Sequence, residues 1–256
     1  MSRRVFDFAH ALLRTPAPSV VEGLRTGDAA PSYEGVLAEH RAYAAALEAA
    51  AVAVETLPPL PEFPDAVFVE DPAFVLPEGA LLLRPGAPSR IGETAEIAEA
   101  LHRRFARVLE QSEGYADGGD MLILRDEILI GLSGRTDRLG AECVVALLRG
   151  LGRRARVVET PPGVLHLKTA CALVDEGVLI ATPALASAFP DHEVLVTPPG
   201  EERAANLIRV NEHILMAAGH PRTERMLEAR GLPVVPLPAR EIAKIDAGLS
   251  CMSLRW

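Results

Sequence analysis

Two apolar periodicities alternate along this chain. Val36, His40, Tyr43 and Leu47 recur at helical spacing and predict a helix opened near Pro31–Ser32. Ile97, Leu101, Phe105 and Val108 predict a second. A third is predicted from about 137 to 151, with Leu139, Cys143, Leu147 and Leu151 on its apolar side and glycines at its end. A fourth covers 221–230 before Gly231, and a short one follows near 238–244. Between them lie apolar runs of strand length: VFDFAH, VAVETL, AVFVE, ALLLR, MLILR, EILIGL, ARVVE, GVLIAT, EVLVT, NLIRV, HILMA, LPVVPL and SCMSL.

So many strands follow one another without a helix that mixed or antiparallel pairing is expected, in one α/β domain spanning 1–256. Residues 14–34, rich in Pro, Gly and small side chains, stand apart and read as a long mobile loop of the lid type.

Composition excludes more than it identifies. Hydrophobic content of 49% with 24% charged residues is that of a globular protein. The apolar part of MSRRVFDFAHALLRT is too short and too polar for a signal peptide, and no stretch approaches a membrane span, so a cytoplasmic protein is expected. Three widely spaced cysteines fit reduced thiols, and no CxxC pair suggests zinc. A net charge of −9 disfavours nucleic acid and is compatible with a small cationic ligand.

Candidate chemistry starts at the C-terminus. If SCMSLRW is a strand, Met252, Leu254 and Trp256 share one side, while Cys251, Ser253 and Arg255 share the other. Cys251 is then either a structural thiol or a nucleophile. Cys143, in a helix stripe, and Cys171, in TACALV, read as buried structural thiols. In FPDAVFVEDPAF, Asp65, Glu70 and Asp71 are either solvated strand ends or acceptors for a planar cation. As neighbours, Glu70 and Asp71 face opposite ways in any regular strand. Arg90 closes the turn RPGAPSR and Arg135 precedes a helix start in GLSGRTD. Two such arginines near cation-binding carboxylates would suit a ligand carrying both a cation and a carboxylate. DGGD places Asp117 and Asp120 around paired glycines, by itself a common turn signal. His166, set between leucines in GVLHLKT, is either a core histidine or the proton carrier a thiol needs.

Taken in order, FPDAVFVED, LLLRPGAPSR, DGGDMLI, GLSGRTD, HLKT, ERAANLIRVN and DAGLSC resemble the dimethylarginine dimethylaminohydrolases of the guanidine-modifying enzyme superfamily, over nearly the whole chain. The resemblance implies a five-bladed α/β propeller of pseudo-symmetric ββαβ units. It implies hydrolysis of N-omega-methylated arginine to citrulline and an amine, without metal or organic cofactor. It also implies a small-molecule partner only, with neither nucleic acid nor membrane, and a monomer or homodimer. By the same resemblance, Cys251 matches the nucleophile and His166 the general acid/base. Asp71 and Asp117 match guanidinium-binding carboxylates, with Glu70 beside them. Arg90 and Arg135 match the holders of the substrate carboxylate, and Asp65 and the Ile245 carbonyl the acceptors for its α-amine. Leu24 matches the lid leucine. An arginine deiminase, or a catalytically silent amino-acid-binding relative, is the alternative reading.

Overall fold

Alternating apolar runs pair off here in a fixed rhythm: two strands antiparallel, then a third parallel to the second. The computed structural model describes residues 4–256. In chain order the elements are β1 (His10–Arg14), α1 (Tyr33–Ala49), β2 (Ala53–Leu57), β3 (Ala73–Leu76), β4 (Gly79–Leu82), α2 (Glu93–Arg104), β5 (Val108–Glu110), β6 (Met121–Ile123), β7 (Ile128–Leu132), α3 (Arg138–Gly150) and β8 (Ala155–Glu159). There follow α4 (Leu167–Ala170), β9 (Cys171–Asp175), β10 (Val178–Ala181), β11 (Glu193–Val196), β12 (Ile208–Val210), β13 (His213–Ala217), α5 (Pro221–Glu228), β14 (Val234–Leu237) and β15 (Leu254–Arg255).

They form five three-stranded sheets: β3-β4-β5, β6-β7-β8, β9-β10-β11, β12-β13-β14 and β15-β1-β2. In each, the first pair is antiparallel and the second parallel. A parallel partner requires a crossover, which α2, α3, α5 and α1 supply in four blades. In the β9-β10-β11 blade the connection holds only a single 3-10 turn, Ala186–Ala188. These are the five blades expected, four of them with the full ββαβ order. The last strand returns to the first: β15 pairs with β1, and the Trp256 carbonyl accepts from the Ala9 and His10 amides. The two ends of the chain thus close one blade between them.

Local signals set the helix boundaries. Ser32 caps α1 by accepting from the Gly35 amide, and Asp137 caps α3 by accepting from Gly140 at 2.7 Å. Pro221 opens α5, and Gly231, at φ +76, follows its end. The buried face of α3 differs from the expected one. Ala141, Val144 and Leu148 point inward, while Leu139 is exposed and Cys143 only half-buried. Gly140 explains the rotation. A Cβ there would lie 2.1 Å from the Tyr115 carbonyl oxygen, so the helix presses its glycine side against that loop.

Three predicted strands do not form where expected, and VFDFAH reaches strand only at its last residue, His10. AVFVE is a run of i to i+3 turns, with the Ala66 amide bonded to the Phe63 carbonyl and Phe68 to Asp65, and the strand begins later, at Ala73. SCMSL is a 3-10 turn over Leu249–Met252, and only Leu254–Arg255 is strand. The 14–34 loop is also more ordered than expected. Pro18–Glu22 forms a 3-10 turn that buries Val20, and the one continuous exposed stretch among these described residues is 24–30. No helix among the described residues is long and apolar enough to cross a membrane.

The α1 core fixes what matters for chemistry. Val36, Tyr43 and Leu47 pack with Ile242, Ile245, Leu249 and Met252. Leu249 and Met252 flank Cys251, and burying each contributes about 1.5–3 kcal/mol toward holding that turn in place. Tyr43 adds a buried 2.6 Å hydrogen bond to the Ser253 hydroxyl.

Candidate active site

One cavity of about 150 Å³ gathers most of the predicted residues: Leu24, Asp65, Asp71, Arg90, Arg135, His166, Ile245 and Cys251 line it, with Phe68 and Leu165. They come from six connections between strands, so the site is assembled from distant parts of the chain.

Cys251 sits half-buried on the cavity wall. Its turn is shaped from behind by Asn206, whose side-chain oxygen accepts from the Ser250 amide at 3.2 Å. Gly248 is needed for that approach, since a Cβ there would fall 2.3 Å from the Asn206 side chain. The Cys251 carbonyl accepts from the Glu70 amide, tying the thiol's backbone to the acidic loop. Burial and the nearby Asp71 and Glu70 carboxylates push the thiol up to about 12. Cys171 is fully buried, with its thiol also raised, chiefly by burial.

His166 faces the same cavity, and its Nε2 is 2.9 Å from Asp117 Oδ2. Burial opposes the charged ring, but Asp71, the bond to Asp117 and Asp120 outweigh it and raise His166 to about 9. The ring is therefore an imidazolium at neutral pH. Asp117 differs from the expectation that it touches the guanidinium. It is fully buried behind the imidazole, with Oδ1 accepting from the Gly86 amide at 2.8 Å and Oδ2 on His166.

The paired glycines between Asp117 and Asp120 are explained by crowding. A Cβ on Gly118 would lie 2.0 Å from the Glu70 carbonyl oxygen, and one on Gly119 would lie 2.8 Å from the His166 ring. Asp120 is the anchor that sequence reading passed over. Its Oδ1 accepts from the Leu167 amide at 2.8 Å, and Oδ2 accepts from the Ser133 and Thr136 hydroxyls at 2.7 and 2.6 Å. It thereby joins the His166 segment to the Arg135 loop. Replacing Asp120 with Ala strands three buried donors, and a loss of about 3 kcal/mol or more is expected from urea midpoints. A change within about 0.5 kcal/mol would show that the loops hold without it.

The carboxylates divide in two directions. Asp71 accepts from Arg90 through Oδ2, while its Oδ1 is buried with no hydrogen-bond partner among the described residues. Burial alone would raise Asp71, but Arg90 and the imidazolium reverse that and hold it below the usual carboxylate range. Glu70 turns the other way. It lines a second cavity, where Oε1 accepts from Lys168 at 2.6 Å and from Arg255 at 3.3 Å. The expected place of Glu70 beside a bound cation is thus corrected. Consecutive side chains part to opposite sides, and Lys168 already occupies it.

Arg90 is nearly saturated. It donates to both oxygens of Glu93, to the Phe68 and Asp65 carbonyls and to Asp71, leaving one N–H of Nη1. Arg135 lines the cavity half-buried, and its guanidinium donates no hydrogen bond to any described residue. Asp65 accepts from the Leu24 amide at 3.0 Å, and Asp246 accepts from the Thr26 amide and hydroxyl. Two carboxylates thus fasten the exposed 24–30 segment over the cavity. Burial raises Asp65, with Arg90 and the Leu24 amide opposing.

Asp71, Asp117 and His166 bring ligand atoms within 4.8 Å of one another, a spacing that could hold a metal ion only with the His166 ring deprotonated. A thiol, an imidazolium and an unsatisfied carboxylate around one cavity suit addition of sulfur to an electrophilic cation, with a proton ready for the leaving group.

Comparison with known proteins agrees with this chemistry. Residues 36–220 match the family model described as arginine deiminase. A Pseudomonas aeruginosa N(G),N(G)-dimethylarginine dimethylaminohydrolase is 40% identical, covering 97% of this chain and 100% of the relative. A Streptomyces coelicolor protein of the same name is 36% identical, with 96% of each covered. Among solved structures, the Pseudomonas aeruginosa enzyme with a cysteine replaced by serine, complexed with citrulline, superposes with a TM-score of 0.95 at 39% identity. It covers 98% of this chain and 100% of its own.

Proposed function

Because the chain belongs to the arginine deiminase family and, within it, to the N(G),N(G)-dimethylarginine dimethylaminohydrolases, we propose that it hydrolyses N-omega-methylated L-arginine to L-citrulline and methylamine or dimethylamine. One observation carries this reading: the buried Asp71 Oδ1, without a hydrogen-bond partner among the described residues, in a cavity walled by Cys251 and His166. A buried acceptor without a donor is costly, and a guanidinium N–H is the donor that fits.

In this reading the cationic substrate does more than fill the site. Burial, with repulsion from Asp71 and Glu70, keeps the thiol protonated, and the substrate's positive charge against Cys251 opposes this, so binding itself favours the thiolate. The thiolate adds to the central guanidinium carbon. The bond from that carbon to the methylated nitrogen then breaks, and the imidazolium of His166 gives its proton to the departing amine. A thiouronium remains on Cys251. His166, now neutral, takes a proton from water as the water's oxygen attacks the same carbon. The C–S bond breaks, citrulline forms and the thiolate returns. Asp117 keeps the ring oriented throughout and favours its charged form whenever it carries the proton.

Arg135, with the remaining Arg90 N–H, receives the substrate carboxylate. Asp65 and the Ile245 carbonyl receive the α-amine, under the segment carrying Leu24. Arg135→Ala should therefore raise KM for methylated arginine by roughly tenfold or more with little change in kcat. Agmatine, which lacks the carboxylate, should be unaffected, and an equal loss on it would remove Arg135 from that role. Residues 1–256 act as one catalytic unit, in the cytoplasm, as a monomer or homodimer, with no nucleic acid or membrane partner and without metal or organic cofactor. Met1–Arg3 lie outside the described residues.

The arginine deiminase match supports a second reading, in which unmethylated arginine is the substrate. Parallel assays of citrulline from asymmetric dimethylarginine, monomethylarginine and arginine separate them. Release from the methylated substrates with little from arginine is expected. The reverse preference would make the protein a deiminase with the same residue roles.

A further inference from the structure

Two chain segments divide the middle of the ring between them. Asp71 and Cys251 face the active-site cavity, whereas their neighbours Glu70 and Ser250 face a second cavity, of about 100 Å³. The partition is therefore a single residue thick. The second cavity has largely apolar walls, including Phe8, Phe74, Met121 and Leu207. Its charged lining is unbalanced: Lys168, Arg209 and Arg255 stand against one carboxylate, Glu70, in a protein whose net charge is −9. Lys168 and Arg255 both spend themselves on Glu70 Oε1.

Arg209 does not have that outlet. It is 7% exposed, and its Nε donates to the Asn211 carbonyl. Nη2 lies 3.6 Å from Glu212, whose carboxylate is largely in solvent. Nη1 is buried and finds no hydrogen-bond partner among the described residues. The Phe6 ring stacks against the guanidinium with 5.1 Å between Cζ and the ring centroid, fixing its plane. Burial lowers the Arg209 pKa, with Asp175 and Glu212 only partly offsetting it, so its charge is under-compensated where it stands.

From the stranded Arg209 Nη1, the surplus of cations and the apolar walls, we infer that this second cavity is a binding site for a small organic monocarboxylate with a short apolar tail. The carboxylate accepts from Arg209 Nη1, and the tail lies against the phenylalanine and aliphatic walls. A bare inorganic anion fits less well, because apolar walls give nothing back for its lost hydration. A neutral apolar molecule leaves Arg209 as it is. The volume limits the tail to a few carbons, since a cavity of about 150 Å³ is what benzene occupies.

Butyrate is the probe and butyramide its neutral counterpart, titrated into the intact protein and followed by two-dimensional NMR. Butyrate should give saturable shifts at Leu122 and Leu173, on the cavity wall, with butyramide and chloride weaker by at least roughly tenfold. Arg209→Met should weaken butyrate to the same extent while citrulline release stays unchanged. Should that variant not fold, Ile123→Phe narrows the cavity from its half-exposed edge and should abolish binding with Arg209 intact. Equal binding of butyramide or chloride, shifts confined to the active-site residues, or butyrate binding that survives Arg209→Met or Ile123→Phe would each overturn the inference. So would no saturable binding at all.

Discussion

Cys251→Ser should lower citrulline release from asymmetric dimethylarginine by on the order of 10⁴ or more, while the substrate still binds. The magnitude follows from what the substitution leaves. Oxygen is slightly smaller than sulfur, so Asn206, Gly248 and the buried Leu249 and Met252 still hold the turn as before. Asp71, Arg90 and Arg135 still line the cavity. What disappears is a nucleophile that the bound cation can ionise. A hydroxyl is far less acidic than a thiol, and nothing here replaces the lost anion. Equilibrium binding and turnover should therefore separate: Kd within a few-fold of the parent protein, kcat near zero. Turnover within tenfold of the parent would show that sulfur is not the attacking atom. A loss of binding in parallel would assign Cys251 to recognition instead.

His166→Ala should cost about 10² to 10⁴ in kcat, because one ring serves as acid in the first half-reaction and as base in the second. The two halves can be told apart by the leaving group. A substrate that expels a thiolate needs no proton in the first step, so the variant should still form the covalent adduct with it, detected by mass spectrometry, and then fail to hydrolyse it. Prompt hydrolysis of that adduct would exclude His166 as the base.

The pH profile carries the same assignment. With His166 raised to about 9 and Cys251 to about 12, the thiolate–imidazolium pair is a minor form of the free enzyme. Its share grows tenfold per pH unit until the imidazolium starts to deprotonate, then levels. kcat/KM should therefore climb to about pH 9 and flatten. Asp117→Asn removes a carboxylate that helps keep the ring charged, so the His166 pKa falls. The plateau should then begin at lower pH and lie lower by the same factor, with much less change in this term at pH 7. A profile in Asp117→Asn that is scaled down equally at every pH would mean Asp117 only positions the ring.

These roles were read from short motifs, and the motifs worked where the chemistry is local. Helix periods, the Ser32 and Asp137 caps and the strand runs depend on neighbours within a few residues, so a mixed α/β domain was legible from the pattern, while the five blades followed only from the family resemblance. The types of residue at the site were legible for a related reason. A thiol, an imidazole and carboxylates in FPDAVFVED, HLKT and DAGLSC carry their chemistry wherever the chain puts them. Period-two alternation failed at AVFVE and SCMSL. There, i to i+3 turns and close approaches to Asn206 and Glu70 outweigh strand propensity, and both are contacts with distant chain.

The direction each side chain faces was decided only in three dimensions. Glu70 and Asp71 are adjacent carboxylates in sequence, yet one neutralises Lys168 across a second cavity, while the other pairs with Arg90 and keeps one oxygen free of partners among the described residues beside the thiol. Asp117 and Asp120 flank the same glycines, yet one holds the imidazole and the other ties two loops together. Arg90 and Arg135 read alike as loop arginines, yet one is nearly saturated and the other free to take a ligand. Sequence by itself determined which groups exist and which blades carry them. Partnering, burial and therefore protonation depend on atoms brought together from as far apart as residues 70 and 251, and only the tertiary structure supplies those.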